Sequence, residues 1–137
     1  MPRRTSTGAV LESMVLPALK HGGYETKKQV RIGERLNGRR HFADVVASKG
    51  NKKFIVSMKW QQTSGTAEQK VPYEVICLSE AVKKFDYEKA YLVLGGDGWT
   101  LRDYFVGGGL NDHINYDGQV VILTLEKFVR LANQGRL

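Results

Sequence analysis

Phe42-Ala43-Asp44-Val45-Val46-Ala47, Ser48-Lys49-Gly50-Asn51 and Lys53-Phe54-Ile55-Val56-Ser57-Met58 form the stretch on which the fold turns. Two β-rich runs flank a polar, Gly-containing break, so the stretch predicts a hairpin. Upstream, Tyr24 to Ile32 carries Thr, Val and Ile among charges, as a strand with one wet face does, and Gly33 to Arg39 holds an Asn37-Gly38 turn. The hairpin thus belongs to a three-strand meander.

Helices flank the meander. Val10, Leu11, Met14, Val15, Ala18 and Leu19 repeat at helical spacing between Gly8 and Lys20, with Pro17 expected to interrupt or bend the helix and Gly22-Gly23 to end it. Trp60 to Gly65 reads as a loop. Thr66-Ala67-Glu68-Gln69 fits a capping box, and Val71, Val75, Leu78, Val82 and Phe85 then step by four and three residues, predicting a helix from about Thr66 to Phe85.

Beyond it, Ala90 to Leu94 is a short apolar run of the interior-strand kind, and Trp99 to Val106 reads as a short helix before a break at Gly107-Gly108-Gly109. Val120 to Leu123 gives one more strand, and Thr124 caps a last helix carrying Leu125, Phe128, Val129 and Leu131. The order predicts an α/β fold, a mixed central sheet flanked by helices, as a single domain over residues 1–137. Its core is expected over about 8–94, with 95–137 as a C-terminal extension.

Composition narrows the function. With 42% hydrophobic residues the chain can bury a core, and the lone Cys77 with three scattered histidines excludes disulfide scaffolds and zinc modules. No apolar run reaches the length of a spanning helix and no secretory signal is visible, so a soluble cytoplasmic protein without membrane partners is expected. The net charge of +7 is segregated: up to Trp60 there are 13 Lys and Arg against four acids, and after it eight against ten. A field so divided attracts a polyanion, and nucleic acid is the commonest one inside a cell.

Asp44 is a charge in an otherwise apolar strand, costly there unless paired or bound to a cation. If Phe42, Asp44 and Val46 share one face, Ala43, Val45 and Ala47 share the other. Hairpin pairing brings Lys59, at the end of the next apolar run, toward Asp44, and the first helix can bring Glu12 to the same end. Two carboxylates and a lysine converging in this way can hold a divalent ion and set a water against a phosphodiester. The bland reading is an ordinary Asp44–Lys59 ion pair with Glu12 a solvated helix residue.

The element order and these residues resemble the PD-(D/E)XK nuclease superfamily, whose core is a helix, a three-strand meander, a helix and a further strand. The resemblance covers roughly residues 8–94. Asp44 matches the strand aspartate, Lys59 the lysine of the acid-x-Lys motif, and Glu12 the helix carboxylate; Ser57 stands where the motif's acid belongs and Ala43 where its proline does. Glu12, in preference to Glu68, is the expected substitute for the missing acid.

The resemblance implies a Mg²⁺-dependent DNA endonuclease, with Mn²⁺ able to substitute, acting as a homodimer or higher homo-oligomer in a bacterial or phage-infected cell. Glu12, Asp44 and the Met58 carbonyl would hold the metal, while Lys59 stabilises developing charge and Gln61 orients the attacking water. Arg35, Arg39 and Arg40 around the first turn, with Gln62, Thr63, Ser64 and Lys70 beyond the motif, are the expected nucleic-acid contacts. A sequence-specific restriction-like or homing-type enzyme leads; a Holliday-junction or other structure-specific resolvase, a non-catalytic nucleic-acid-binding module and a plain structural domain are the alternatives.

Overall fold

In the computed structural model, which describes residues 6–63 and 65–137, the apolar runs assemble into a five-stranded mixed sheet with helices on both faces. The first helix, α1, covers residues 6–21: α-helical over Ser6–Val10, a π turn over Leu11–Val15, and α-helical again over Leu16–His21. The π turn absorbs Pro17. A proline donates no helical bond, and just ahead of it the Leu16 N–H reaches back five residues to Leu11 O. The helix is therefore interrupted just ahead of the proline and runs on to His21, before Gly22-Gly23.

Strands β1 (Glu25–Glu34), β2 (Arg40–Lys49) and β3 (Lys52–Trp60) form the antiparallel meander. Helix α2 (Ala67–Lys84) then crosses the sheet so that β4 (Lys89–Gly95) returns parallel to β3. A short α3 (Arg102–Val106) and a 3₁₀ turn (Gly109–Asp112) lead to β5 (Val120–Thr124), parallel to β4, and to α4 (Leu125–Asn133). The strands lie side by side in chain order. Residues 95–137, expected as an extension, thus complete the sheet and both of its covering layers.

One face of the sheet packs on α1 and α4 through Leu19, Phe54, Val56, Val93 and Phe128; the other packs on α2 and α3 through Ile55, Val71, Val75, Leu92 and Phe105. Strand alternation in β3 serves both layers, with Phe54, Val56 and Met58 on the first face and Ile55 on the second. In β2 the alternation fails. Val45 and Ala47 face α1 and α4, but Ala43 joins Val46 in the α2 layer, so the expected division of residues 42–47 into two alternating faces is corrected.

A matching irregularity lies level with Asp44 on the neighbouring strand. Gln29 has φ of 52°, a left-handed value, and the register that pairs Lys28 with Val45 and Val30 with Ala43 skips Gln29 and Asp44 between them. A left-handed residue turns the chain over locally, so side chains on either side of it change face.

Helix ends differ in how they are capped. Thr124 Oγ1 accepts the Lys127 N–H at 3.2 Å, as expected, whereas Thr66 makes no side-chain cap on α2. The Gln69 N–H, which a capping box would give to the Thr66 hydroxyl, bonds the Thr66 carbonyl at 3.1 Å, and Gln61 Oε1 takes the Ala67 N–H at 3.0 Å. No helix among the described residues is long and apolar enough to cross a membrane.

Phe128 is fully buried, its ring 5.7 Å from that of Tyr91. Phe128→Ala is expected to cost about 3–5 kcal/mol, seen as a lower denaturant midpoint at unchanged slope. A loss below about 1 kcal/mol would contradict this account of the core.

Candidate active site

Antiparallel pairing of β2 and β3 ends at Val45 and Val56. One step further Asp44 points into the gap, and its Oδ2 accepts the Met58 N–H at 2.7 Å. The carboxylate thus takes the place of a ladder bond and is fixed by the strand it faces. Burial pushes the Asp44 carboxyl above the ordinary aspartate range; the Met58 N–H and the charge of Lys59 oppose that rise, while the charge of Glu74 adds to it.

Glu74 is the functional candidate that sequence reading missed. It sits on α2 with 2% of its surface exposed, and both carboxylate oxygens are held. Arg35 donates to Oε1 at 2.6 Å, while Oε2 accepts His41 Nε2 at 3.1 Å and the Ser57 hydroxyl at 3.2 Å. Burial alone would raise its pKa, but the bond from His41, the charge of Lys59 and the Arg35 pair outweigh it and bring it down to about 2. An ionised carboxylate only accepts, so His41 carries its proton on Nε2.

The carboxylate that stands beside Ser57, where the motif lacks its acid, is therefore that of Glu74 and not that of Glu12. Glu12 lies in the π turn of α1, 2.6 Å from Lys28 of the edge strand, and borders a hollow with Leu11, Lys28 and Gln29. Lys59 acts electrostatically on both Asp44 and Glu74, so these three form the charged centre.

Gln61 does not continue the strand face of Lys59, because β3 ends at Trp60. Its side chain is buried, with Nε2 donating to Gly98 O at 2.8 Å and Oε1 holding the start of α2. This corrects its expected water-orienting place: the amide joins two loops. The approach is close enough that a Cβ on Gly98 would stand 2.5 Å from the Thr63 backbone, which glycine avoids. Glu68 likewise ties loops together, accepting from the Thr100 hydroxyl at 2.7 Å, the Leu101 N–H at 2.7 Å and the Thr100 N–H.

Of the expected nucleic-acid contacts, Arg35 is turned inward onto Glu74, while Arg39 and Arg40 are exposed on the β1–β2 hairpin. Gln62, Thr63 and Lys70 line an open hollow of about 450 Å³ together with Lys59 and the edge of Met58. Ser64 lies outside the described residues. Met58 itself is buried, its N–H held by Asp44.

The donors suit a hard divalent cation. Among the described residues no three His, Cys, Asp or Glu side chains form a group that could hold a metal ion, and Asp44 and Glu74 are two carboxylates that act on one another electrostatically. Mg²⁺ is commonly held by one or two carboxylates, its remaining positions filled by water and substrate phosphate. Asp44, raised by burial and by its neighbour's charge, is the kind of group a cation would relieve.

The family model of the PD-(D/E)XK nuclease superfamily domain matches residues 3–135, and the chain belongs to that superfamily. Nucleases of this superfamily are generally dependent on divalent metals. No curated protein sequence matches the chain. Among solved structures it is similar to AF1548, a protein of unknown function, with a TM-score of 0.51 and 14% identity over 80% of this chain and 54% of that one. It also matches the small subunit (R.BspD6I2) of the heterodimeric restriction endonuclease R.BspD6I, with a TM-score of 0.43 and 19% identity over 84% of this chain and 61% of that one. The chain thus spans little more than half the length of these two proteins. At its low identity the first likeness is one of fold.

The two carboxylates have opposite effects on stability. Glu74 titrates lower in the folded chain than when unfolded, so its contribution is complete above the unfolded value of 4.5 and is lost as pH falls toward about 2. The loss is on the order of 3 kcal/mol, and Glu74→Gln should flatten the acid limb of a stability-pH curve. Asp44 is raised, so it weakens the fold once ionised, and Asp44→Asn should raise Tm at neutral pH. An unchanged acid limb in the first variant, or a lower Tm in the second, would overturn these assignments.

Proposed function

We propose that this protein is a Mg²⁺-dependent DNA endonuclease, with Mn²⁺ able to substitute, that hydrolyses phosphodiester bonds at the Asp44–Lys59–Glu74 centre. The observation that carries the reading is the seat of Glu74 against Ser57: the motif's missing carboxylate is present in space, supplied by a helix instead of the strand.

Asp44 and Glu74 are the residues that would hold the ion, which supplies positive charge to the scissile phosphate and to the attacking water. Lys59, placed between them electrostatically, stabilises charge developing on the phosphate oxygens. Ser57, His41 and Arg35 fix the Glu74 carboxylate, and the His41 bond, the charge of Lys59 and the Arg35 pair keep it ionised. Lys70, Gln62 and Thr63 around the hollow and Arg39 and Arg40 on the hairpin receive the flanking backbone phosphates. Glu12, held by Lys28, is assigned a supporting place at the border of the site.

A sequence-specific restriction-like or homing-type enzyme is the favoured form, working in the cytoplasm as a homodimer because one small subunit carries one centre and a duplex has two strands. Cleavage of plasmid, four-way-junction and flap DNA in Mg²⁺ or Mn²⁺ tests the proposal. Asp44→Ala, Lys59→Ala and Glu74→Gln should each lower cleavage at least about 100-fold with the folded circular-dichroism spectrum kept, and EDTA should abolish it. Full activity in a folded Asp44→Ala or Glu74→Gln protein would sink the assignment; preference for the junction would select the resolvase form.

A further inference from the structure

Gln29 is the sole non-glycine with a left-handed backbone among the described residues, and it stands in the middle of a strand, not in a turn. Left-handed geometry is unfavourable for a residue with a Cβ and is commonly taken by glycine or asparagine. A glutamine held there keeps a carboxamide at a place where glycine would relax the chain. Such conformations persist where the surrounding structure imposes them, and they gather at functional sites.

The surroundings are specific. Gln29 occupies the level of Asp44 in the β1–β2 register, where both strands skip a pair and the side-chain alternation reverses. Its side chain opposes the rise that burial imposes on the Asp44 carboxyl, and the Met58 N–H from the opposite strand anchors that carboxyl at 2.7 Å. It also borders the hollow formed by Leu11, Glu12 and Lys28, under the π turn of α1. Two departures from regular geometry, in a helix and in the strand beneath it, therefore meet at one residue beside Asp44.

We infer that Gln29 is a positioning residue, held in the left-handed conformation so that its carboxamide fixes the Asp44 carboxylate from the β1 side while Met58 fixes it from β3. The inference rests on the reading of Asp44 as the catalytic carboxylate. It predicts that removing the amide while relieving the backbone separates function from stability. A purely structural residue at a strained position would do the reverse.

The test compares the wild type with Gln29→Gly and Gln29→Asn by thermal unfolding, by kcat and KM on a cleaved DNA, and by NMR of the Gln29 side-chain amide. Gln29→Gly should unfold at or above the wild-type Tm yet lose about tenfold or more in kcat with KM little changed. Gln29→Asn, which accepts the same backbone and keeps a carboxamide, should recover part of that loss. Wild-type kcat in Gln29→Gly, or equal losses in both variants with a lowered Tm, overturns the inference.

The amide resonances give a readout free of turnover. In the wild type they should shift when Asp44 is replaced by Asn, and no shift overturns the contact whatever the cleavage result. A shift in a protein that cuts no substrate keeps the positioning contact and overturns the nuclease reading, so the two failures are distinguishable.

Discussion

A carboxylate taken out of water must be paired, and in this fold Glu74 is the one for which four segments have to meet. Arg35 comes from the tip of the first hairpin, His41 from β2, Ser57 from β3 and Glu74 from α2. Leaving out any partner would strand a buried charge, a cost comparable to a large part of a small domain's stability. The position of α2 over the meander is thereby set by polar geometry as well as by the apolar contacts of Val71, Val75 and Leu78. Tyr73 adds to this by accepting the Asn37 N–H at 3.3 Å, so the hairpin tip is docked on the helix at two neighbouring residues.

Periodicity made most of the architecture readable. The meander, the interior strand at residues 89–95, the last strand and both long helices fall where alternating and helical patterns place them, because those patterns report which side chains leave water. The break expected at Pro17 is there as a π turn just ahead of it, and the helix ends before Gly22-Gly23. What failed was local: Thr66 does not cap α2 with its side chain, because the Gln69 N–H bonds its carbonyl, while Gln61 holds the Ala67 N–H from the preceding loop.

The site was half legible. Asp44 stood out as a charge within an apolar strand and Lys59 as a charge at the end of the next, and the structure sets them in one electrostatic field. Glu74 had a signal that went unused: it lies three residues after Val71 and four before Leu78, on the stripe that packs against the sheet, and a charge there demands partners. Its partners, Arg35 and His41, come from more than 30 residues away, and spacing along a chain cannot display them. Gln29 had no signal, since glutamine in a polar strand suggests nothing of a left-handed backbone.

The same irregularity at Gln29 bears on how copies of the chain can meet. Strand β1 is an outer strand of the sheet, and an outer strand of ten residues presents a template on which another chain can zip. Here a left-handed residue interrupts that template midway, and Glu25, Lys27, Lys28 and Arg31 leave it charged and exposed. Sheet-to-sheet growth along this border is therefore disfavoured, and the chain is shielded there from edgewise aggregation by the left-handed residue that stands level with Asp44.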